Sequence, residues 1–343
     1  MNIDNSNSKT LIMNRCKSLR CVANILFAVC MFASTLPGWS AEPANESNIL
    51  PGIQIGSLDY DLYTENLTAS VTFSATGYHI AHVVIPPSVT YQGKIYTVTQ
   101  VDGFTECQDL LSVVIPNTVK EIAEIAFLKC ENLVSVTIPS SVERIGNEAF
   151  VWCFSLSSVT MGNGVKDIGS YAFKWCQNLR SITLPPSIET IGNGAFFGCQ
   201  SLTSVTIPAS VQNIYHEAFT ACANLKEIIV ESNNAHYCSK DGVLFSKDMT
   251  RLIQYPAGKP DAIYGIPDGV AWITNGAFRG CKHLKSLYIP NSVRLLGEQE
   301  GNFSGYSDYI IFSECESLAT ITYPKGLDLS KSGVPETTKC IAY

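Results

Sequence analysis

Cys107, Cys130, Cys153, Cys176, Cys199 and Cys222 stand 23 residues apart without a slip. A period held this strictly means that the chain folds as a stack of similar units, each too small to bury its own apolar face. The length of 343 residues is therefore not a count of globular domains.

Between two of these cysteines runs Cys130-Glu-Asn-Leu-Val-Ser-Val-Thr-Ile-Pro-Ser-Ser-Val-Glu-Arg-Ile-Gly-Asn-Glu-Ala-Phe-Val-Trp-Cys153. Leu133, Val136 and Ile138 alternate with Ser135 and Thr137, which predicts a short strand with its apolar side chains inward. Pro139, like Pro116, Pro185, Pro208 and Pro267 in other repeats, cannot donate to a ladder and ends that strand. Val142 and Ile145 return the chain across the core. Gly146 and Asn147 then read as a turn and a helix N-cap, with Ser170, Asn193 and Asn275 at the same cap position. Ala149, Phe150 and Cys153 lie three or four apart, the spacing of one buried helical turn.

The pattern Leu-x-x-Val-x-Ile-Pro-x-x-Val-x-x-Ile-Gly-x-x-Ala-Phe-x-x-Cys resembles the BspA-like leucine-rich repeat of bacterial surface proteins. The resemblance covers about 83–324, and residues 52–82 resemble the strand-rich leader of such proteins. It implies an α/β repeat solenoid, a leucine-rich-repeat horseshoe with one short strand and one helical turn per repeat. It also implies export, and adhesion or other protein binding at the cell surface, without naming a ligand.

Three segments break the period. Tyr91-Gln-Gly-Lys-Ile-Tyr96 suits a tight hairpin in an N-terminal cap spanning 41–82 and the start of the repeats. Cys222 and Cys281 are 59 residues apart, and the extra length, about 231–260, carries two apolar runs around Lys-Asp-Met-Thr that read as a hairpin. The surplus between Cys281 and Cys315, about 298–309, is polar and reads as a surface loop. The repeat region ends near 324, and 325–343 reads as a C-terminal cap or tail.

Arg15, Lys17 and Arg20 precede an apolar run from Val22 to Leu36, followed by Gly38 and Ser40, so 1–40 reads as a secretory signal peptide, with an uncleaved anchor as the alternative. Either Met1 or Met13 can be the start, and Cys30 follows a poor lipobox. Removal of 1–40 takes four basic residues and one acidic residue and moves the net charge from −7 to −10. That balance excludes a nucleic-acid or anionic-membrane partner, and no second apolar run reaches spanning length. The expected location is the cell surface or the medium, with the periplasm possible.

An exported chain with ten remaining cysteines would ordinarily carry disulfides. Six of them, with Cys281 and Cys315, instead share one repeat position three residues after a Phe, where a small apolar side chain is wanted; this favours a ladder of buried thiols. Cys238 and Cys340 lie off it and are the more reactive candidates. His79, His82, His216, His236 and His283 form no ligand-spaced pair, and no nucleophile elbow, phosphate loop or cofactor motif is present. No metal, cofactor or catalytic residue is expected.

The outward strand columns run Ser112, Ser135, Ser158, Ser181, Ser204, Glu227, Ser286, Thr320 and Val114, Thr137, Thr160, Thr183, Thr206, Ile229, Tyr288, Thr322. Solenoids usually bind on such a concave sheet, yet uniform Ser and Thr offer few hot-spot anchors. Glu227, Ile229 and Tyr288 break the monotony and are the first candidate ligand-binding residues. Trp152 and Trp175, with Phe154 and Phe197 near them in repeat coordinates, are the second; packing of these rings along the repeat flank is the plainer reading. The function expected is an exported, non-catalytic binding protein that meets a host or bacterial surface protein. A carbohydrate-binding surface protein is the alternative, and an enzyme with its site on the 231–260 insertion a remote one.

Overall fold

The computed structural model describes residues 48–72, 80–297 and 310–343. The expected signal segment and the loop at 298–309 lie outside these residues. The repeats build three ladders that run along the stack, the first of them broken at 181–184, where no strand forms.

The first ladder joins the longer strands in parallel. Ser158–Met161 pairs with Ser135–Ile138, and Ser135 with Ser112, one period apart. Its continuation after the insertion runs through Ile263–Gly265, Ser286–Tyr288, Thr320–Tyr323 and Lys339–Ala342. Val136 and Ile138 are buried while Ser135 and Thr137 are exposed, the period-two alternation that a half-buried strand requires. The second ladder consists of two-residue strands, Glu121–Ile122, Arg144–Ile145, Asp167–Ile168, Thr190–Ile191 and Asn213–Ile214. Here the glycine of Ile-Gly serves close approach between repeats. A Cβ on Gly146, Gly169 or Gly192 would lie 2.5–2.6 Å from the backbone of the preceding repeat.

The third ladder replaces the expected helical turn. No helix occurs among the described residues, so the fold is a β-solenoid rather than an α/β one. In the segment 123–130 the N–H groups of Ala126, Leu128 and Cys130 donate to the carbonyls of Ala123, Ile125 and Phe127. These are three overlapping β-turns. Ile125 and Lys129, third residues of the first and last, have φ of 58° and 57°, as a type II turn demands. The intervening N–H groups leave the repeat: those of Ile125, Phe127 and Lys129 donate to Asn147, Ala149 and Val151 of the next at 2.8–3.0 Å. A helix would have closed these groups within the repeat and left the neighbouring carbonyls unpaired. The supposed caps also act between repeats, since Asn147 Oδ1 accepts from Ser170 N at 2.9 Å.

The core is built on columns. Phe104, Phe127, Phe150, Phe173, Phe196 and Phe219 stack at centroid distances of 5.0–5.4 Å with planes within 7°. Beside them the thiols of Cys130, Cys153, Cys176, Cys199 and Cys222 donate to the carbonyls of Phe104, Phe127, Phe150, Phe173 and Phe196 at 2.8–3.2 Å. The repeat position thus asks for a small apolar side chain with a weak donor, which describes cysteine. All ten cysteines among the described residues are free thiols.

Ahead of the repeats, Ile49–Ile55, Leu58–Tyr63 and Thr68–Thr72 form an antiparallel meander. The pair Ser88–Tyr91 and Lys94–Asp102 turns at Gln92-Gly93, both with positive φ, as a type I′ hairpin requires. The insertion is a three-stranded meander, Tyr237–Lys240, Val243–Ser246 and Arg251–Gln254, and the last strand restarts the short-strand ladder. Val243–Ser246 is buried along its whole length. Leu244 belongs to the core of the preceding repeats, while Val243 and Phe245 belong to that of the following ones.

Candidate functional site

Before the insertion the long-strand face is mostly small hydroxyl side chains, with Val84, Val114 and Ile229 exposed among them; beyond it an aromatic cluster appears. Ile263 is 76% exposed, Tyr288 44%, Ile341 39% and Tyr343 38%. Register places Gly265, Tyr288, Thr322 and Ile341 side by side on adjacent strands. Nothing lies within 4 Å of the Cβ that Gly265 lacks, so the face beside Tyr288 is open. The Tyr288 ring stacks on that of Tyr343 at 5.5 Å and 13°. Its hydroxyl donates to Tyr343 Oη at 2.9 Å, and that hydroxyl donates to the Ile289 carbonyl at 3.1 Å. Two aromatic side chains are therefore held in one orientation at the surface, which lowers the entropy lost when a partner covers them. Tyr343 was not legible as a site residue: it lies past the last recognisable repeat, and only the pairing of Lys339–Ala342 with Thr320–Tyr323 brings it back to Tyr288.

Glu227 and Ile229 are exposed on Glu227–Val230, which pairs with Ser204–Ile207 and not with the strand of Tyr288. The Asp241-Gly242 turn of the insertion docks on them: Gly242 accepts from Ile228 N at 2.8 Å, and a Cβ there would meet that of Glu227 at 2.9 Å. Glu227 and Ile229 thus flank the insertion while Tyr288 stands in a separate sheet.

Trp152 and Trp175 lie on the turn face, half-buried, with φ of 61° and 62°. Lys129 Nζ sits 5.6 Å from the Trp152 ring centroid. Trp175 meets Phe197 edge-on at 5.6 Å and covers Gly198, whose missing Cβ would fall 2.5 Å from the indole. Both rings are engaged in packing along the flank. Nearby, Lys174 Nζ lies 4.5 Å from the Tyr171 ring and 5.6 Å from that of Phe197, whose ring is also 5.0 Å from the Arg279 guanidinium. Burial lowers the Lys174 pKa and raises that of Glu217, which accepts from Asn275 Nδ2 at 3.0 Å. This network ties the turn layers across the insertion.

Among the described residues no group of three His, Cys, Asp or Glu side chains is placed to hold a metal ion, and no helix is long and apolar enough to cross a membrane.

A family model described as the BspA type leucine rich repeat region matches residues 97–226 and 263–327 in six copies. A search of curated proteins finds no match. Among solved structures, a leucine-rich cell surface protein from Faecalibacterium prausnitzii A2-165 is similar at 28% identity and a TM-score of 0.58, over 89% of this chain and 96% of that one. The pneumococcal vaccine antigen PcpA is similar in fold at 22% identity and a TM-score of 0.55, over 84% and 77%. A leucine-rich repeat protein from Eubacterium ventriosum shares the fold at 23% identity and a TM-score of 0.55, over 81% and 73%.

Proposed function

This chain belongs to the BspA-type leucine-rich-repeat family, and from that premise we propose that it is an exported, non-catalytic binding protein that holds a protein partner at the bacterial cell surface. The observation that carries the reading is the exposed patch of Ile263, Tyr288, Ile341 and Tyr343, where two stacked tyrosine rings stand on a strand face that elsewhere exposes Ser, Thr and isolated aliphatic side chains. Large aromatic side chains with restrained orientation are what interface hot spots are made of. The F. prausnitzii relative is described as a cell surface protein, which supports the location. Glu227 and Ile229 extend the contact on the other side of the insertion.

The test is a binding screen of the chain against arrays of host matrix proteins and bacterial surface proteins, followed by substitution. Tyr288→Ala is expected to weaken the captured partner by ~1–3 kcal/mol, the range of an interface anchor, with the melting temperature nearly unchanged. Loss of binding in Trp152→Ala and Trp175→Ala, with Tyr288→Ala unaffected, would move the interface to the turn face.

A further inference from the structure

The short-strand ladder is interrupted between Asn213–Ile214 and Arg251–Gln254. In the break lies a cleft of about 400 Å³, lined by Asn213, Tyr215, His216, His236, Tyr237 and Arg251. Two departures from the repeat create it. The regular repeats carry Ile-Gly followed by Asn or Ser at this place, in Ile145-Gly146-Asn147, Ile168-Gly169-Ser170 and Ile191-Gly192-Asn193. Here the chain reads Ile214-Tyr215-His216, so a residue that elsewhere allows close approach becomes a tyrosine 50% exposed. The strand edge is then closed by a side chain in place of a strand. Tyr237 Oη accepts from Ile214 N at 2.7 Å and donates to the Gln212 carbonyl at 3.3 Å.

The lining is basic and aromatic in a chain of net charge −7. The Arg251 guanidinium lies 5.6 Å from the Trp272 ring centroid, a contact that leaves its N–H fork able to meet an anion. The acid near it, Asp248, already accepts from Ser246 Oγ at 2.6 Å, Thr250 N at 3.0 Å and Thr250 Oγ1 at 2.9 Å. Burial, then Arg251, lowers the His216 pKa, so the cleft's fixed positive charge is that of Arg251. His236 is exposed at the rim beside Tyr237. The volume suits one or two sugar rings.

We propose that this cleft binds an acidic saccharide, with its carboxylate or sulfate on Arg251 and a ring face on Tyr215. Guanidinium pairs such planar or tetrahedral anions with two parallel hydrogen bonds. The aromatic wall supplies the apolar contact that a sugar ring needs, and the site is independent of the long-strand face.

The full chain is titrated with 3′-sialyllactose, 3′-sulfated lactose and lactose by calorimetry and saturation-transfer NMR. Saturable binding of an acidic sugar is expected, and a preference between the first two identifies the anion. Lactose should bind about tenfold more weakly or worse, and Arg251→Gln should weaken the acidic sugar by about tenfold, the loss of a charge-assisted pair. Tyr215→Ala should weaken all three sugars, and Tyr288→Ala should leave the titration unchanged. Should Arg251→Gln lower the melting temperature, Arg251→Lys keeps the charge without the fork and is expected to weaken binding as well. Equal binding of lactose, unchanged binding in both Arg251 variants, or no saturation by either acidic sugar overturns the proposal.

Discussion

At the scale of single residues, the Phe column and the thiols beside it are one device. Phe173 is fully buried between Phe150 and Phe196, so Phe173→Ala is expected to destabilise by ~3–5 kcal/mol through lost transfer energy and a cavity. An urea melt showing less than about 1 kcal/mol would contradict that packing. Beyond the insertion Tyr255 stacks on Phe278 in the second core, with its hydroxyl buried and without a hydrogen-bond partner. Tyr255→Phe should therefore stabilise the protein by ~1 kcal/mol, because it removes an unsatisfied polar group and keeps the ring. The thiols from Cys107 to Cys222 are shielded twice. Burial pushes Cys107 up to about 11 and Cys222 up to about 12, which leaves almost no thiolate at neutral pH. Native protein should alkylate first at exposed Cys340 and half-buried Cys238, and the ladder thiols from Cys130 to Cys222 only after denaturation without reductant. Mass spectrometry finding bridged ladder peptides would refute this.

At the scale of elements, the strand of each repeat was legible because period-two alternation from Leu133 to Ile138 has one physical explanation. The turn layer was not. The spacing of Ala149, Phe150 and Cys153 suits a helical turn and a run of overlapping β-turns equally well, since both bury residues three apart. The signal that separates them is glycine at the left-handed third positions, as in Asn193-Gly-Ala-Phe-Phe-Gly-Cys199 and Asn275-Gly-Ala-Phe-Arg-Gly-Cys281. In the other repeats these positions hold Glu148, Trp152, Tyr171 and Trp175, which hides the rule. The short strands escaped because two residues such as Arg144–Ile145 carry no period. Of the site, Tyr288 was visible as an interruption of a column, whereas Tyr343 and Arg251 reach their places only through pairings that no local pattern records. The turn assignment has its own check. Ala221 has φ of 59° where Gly198 and Gly280 stand in neighbouring turn layers, so Ala221→Gly is expected to raise stability by ~0.5–1 kcal/mol by relieving left-handed strain. A destabilised variant would show that this backbone is not strained.

At the scale of the whole repeat array, each unit touches chiefly its neighbours, so stability is a sum of unit and interface contributions. Deletion of 131–153 joins Cys130 to Phe154 at equivalent positions and restores all three ladders. The shortened chain is expected to fold with a lower melting temperature and a single transition, read by circular dichroism. A shorter deletion out of phase, such as 137–153, should leave the chain unfolded. Val243–Ser246, with side chains directed alternately to the cores before and after it, closes each half of the array separately. A gene encoding such a protein can gain or lose whole repeats by unequal recombination on one side of that strand without disturbing the other. The reach of the array ahead of the dividing strand can then diverge between strains while the aromatic patch, which lies beyond it, is inherited intact.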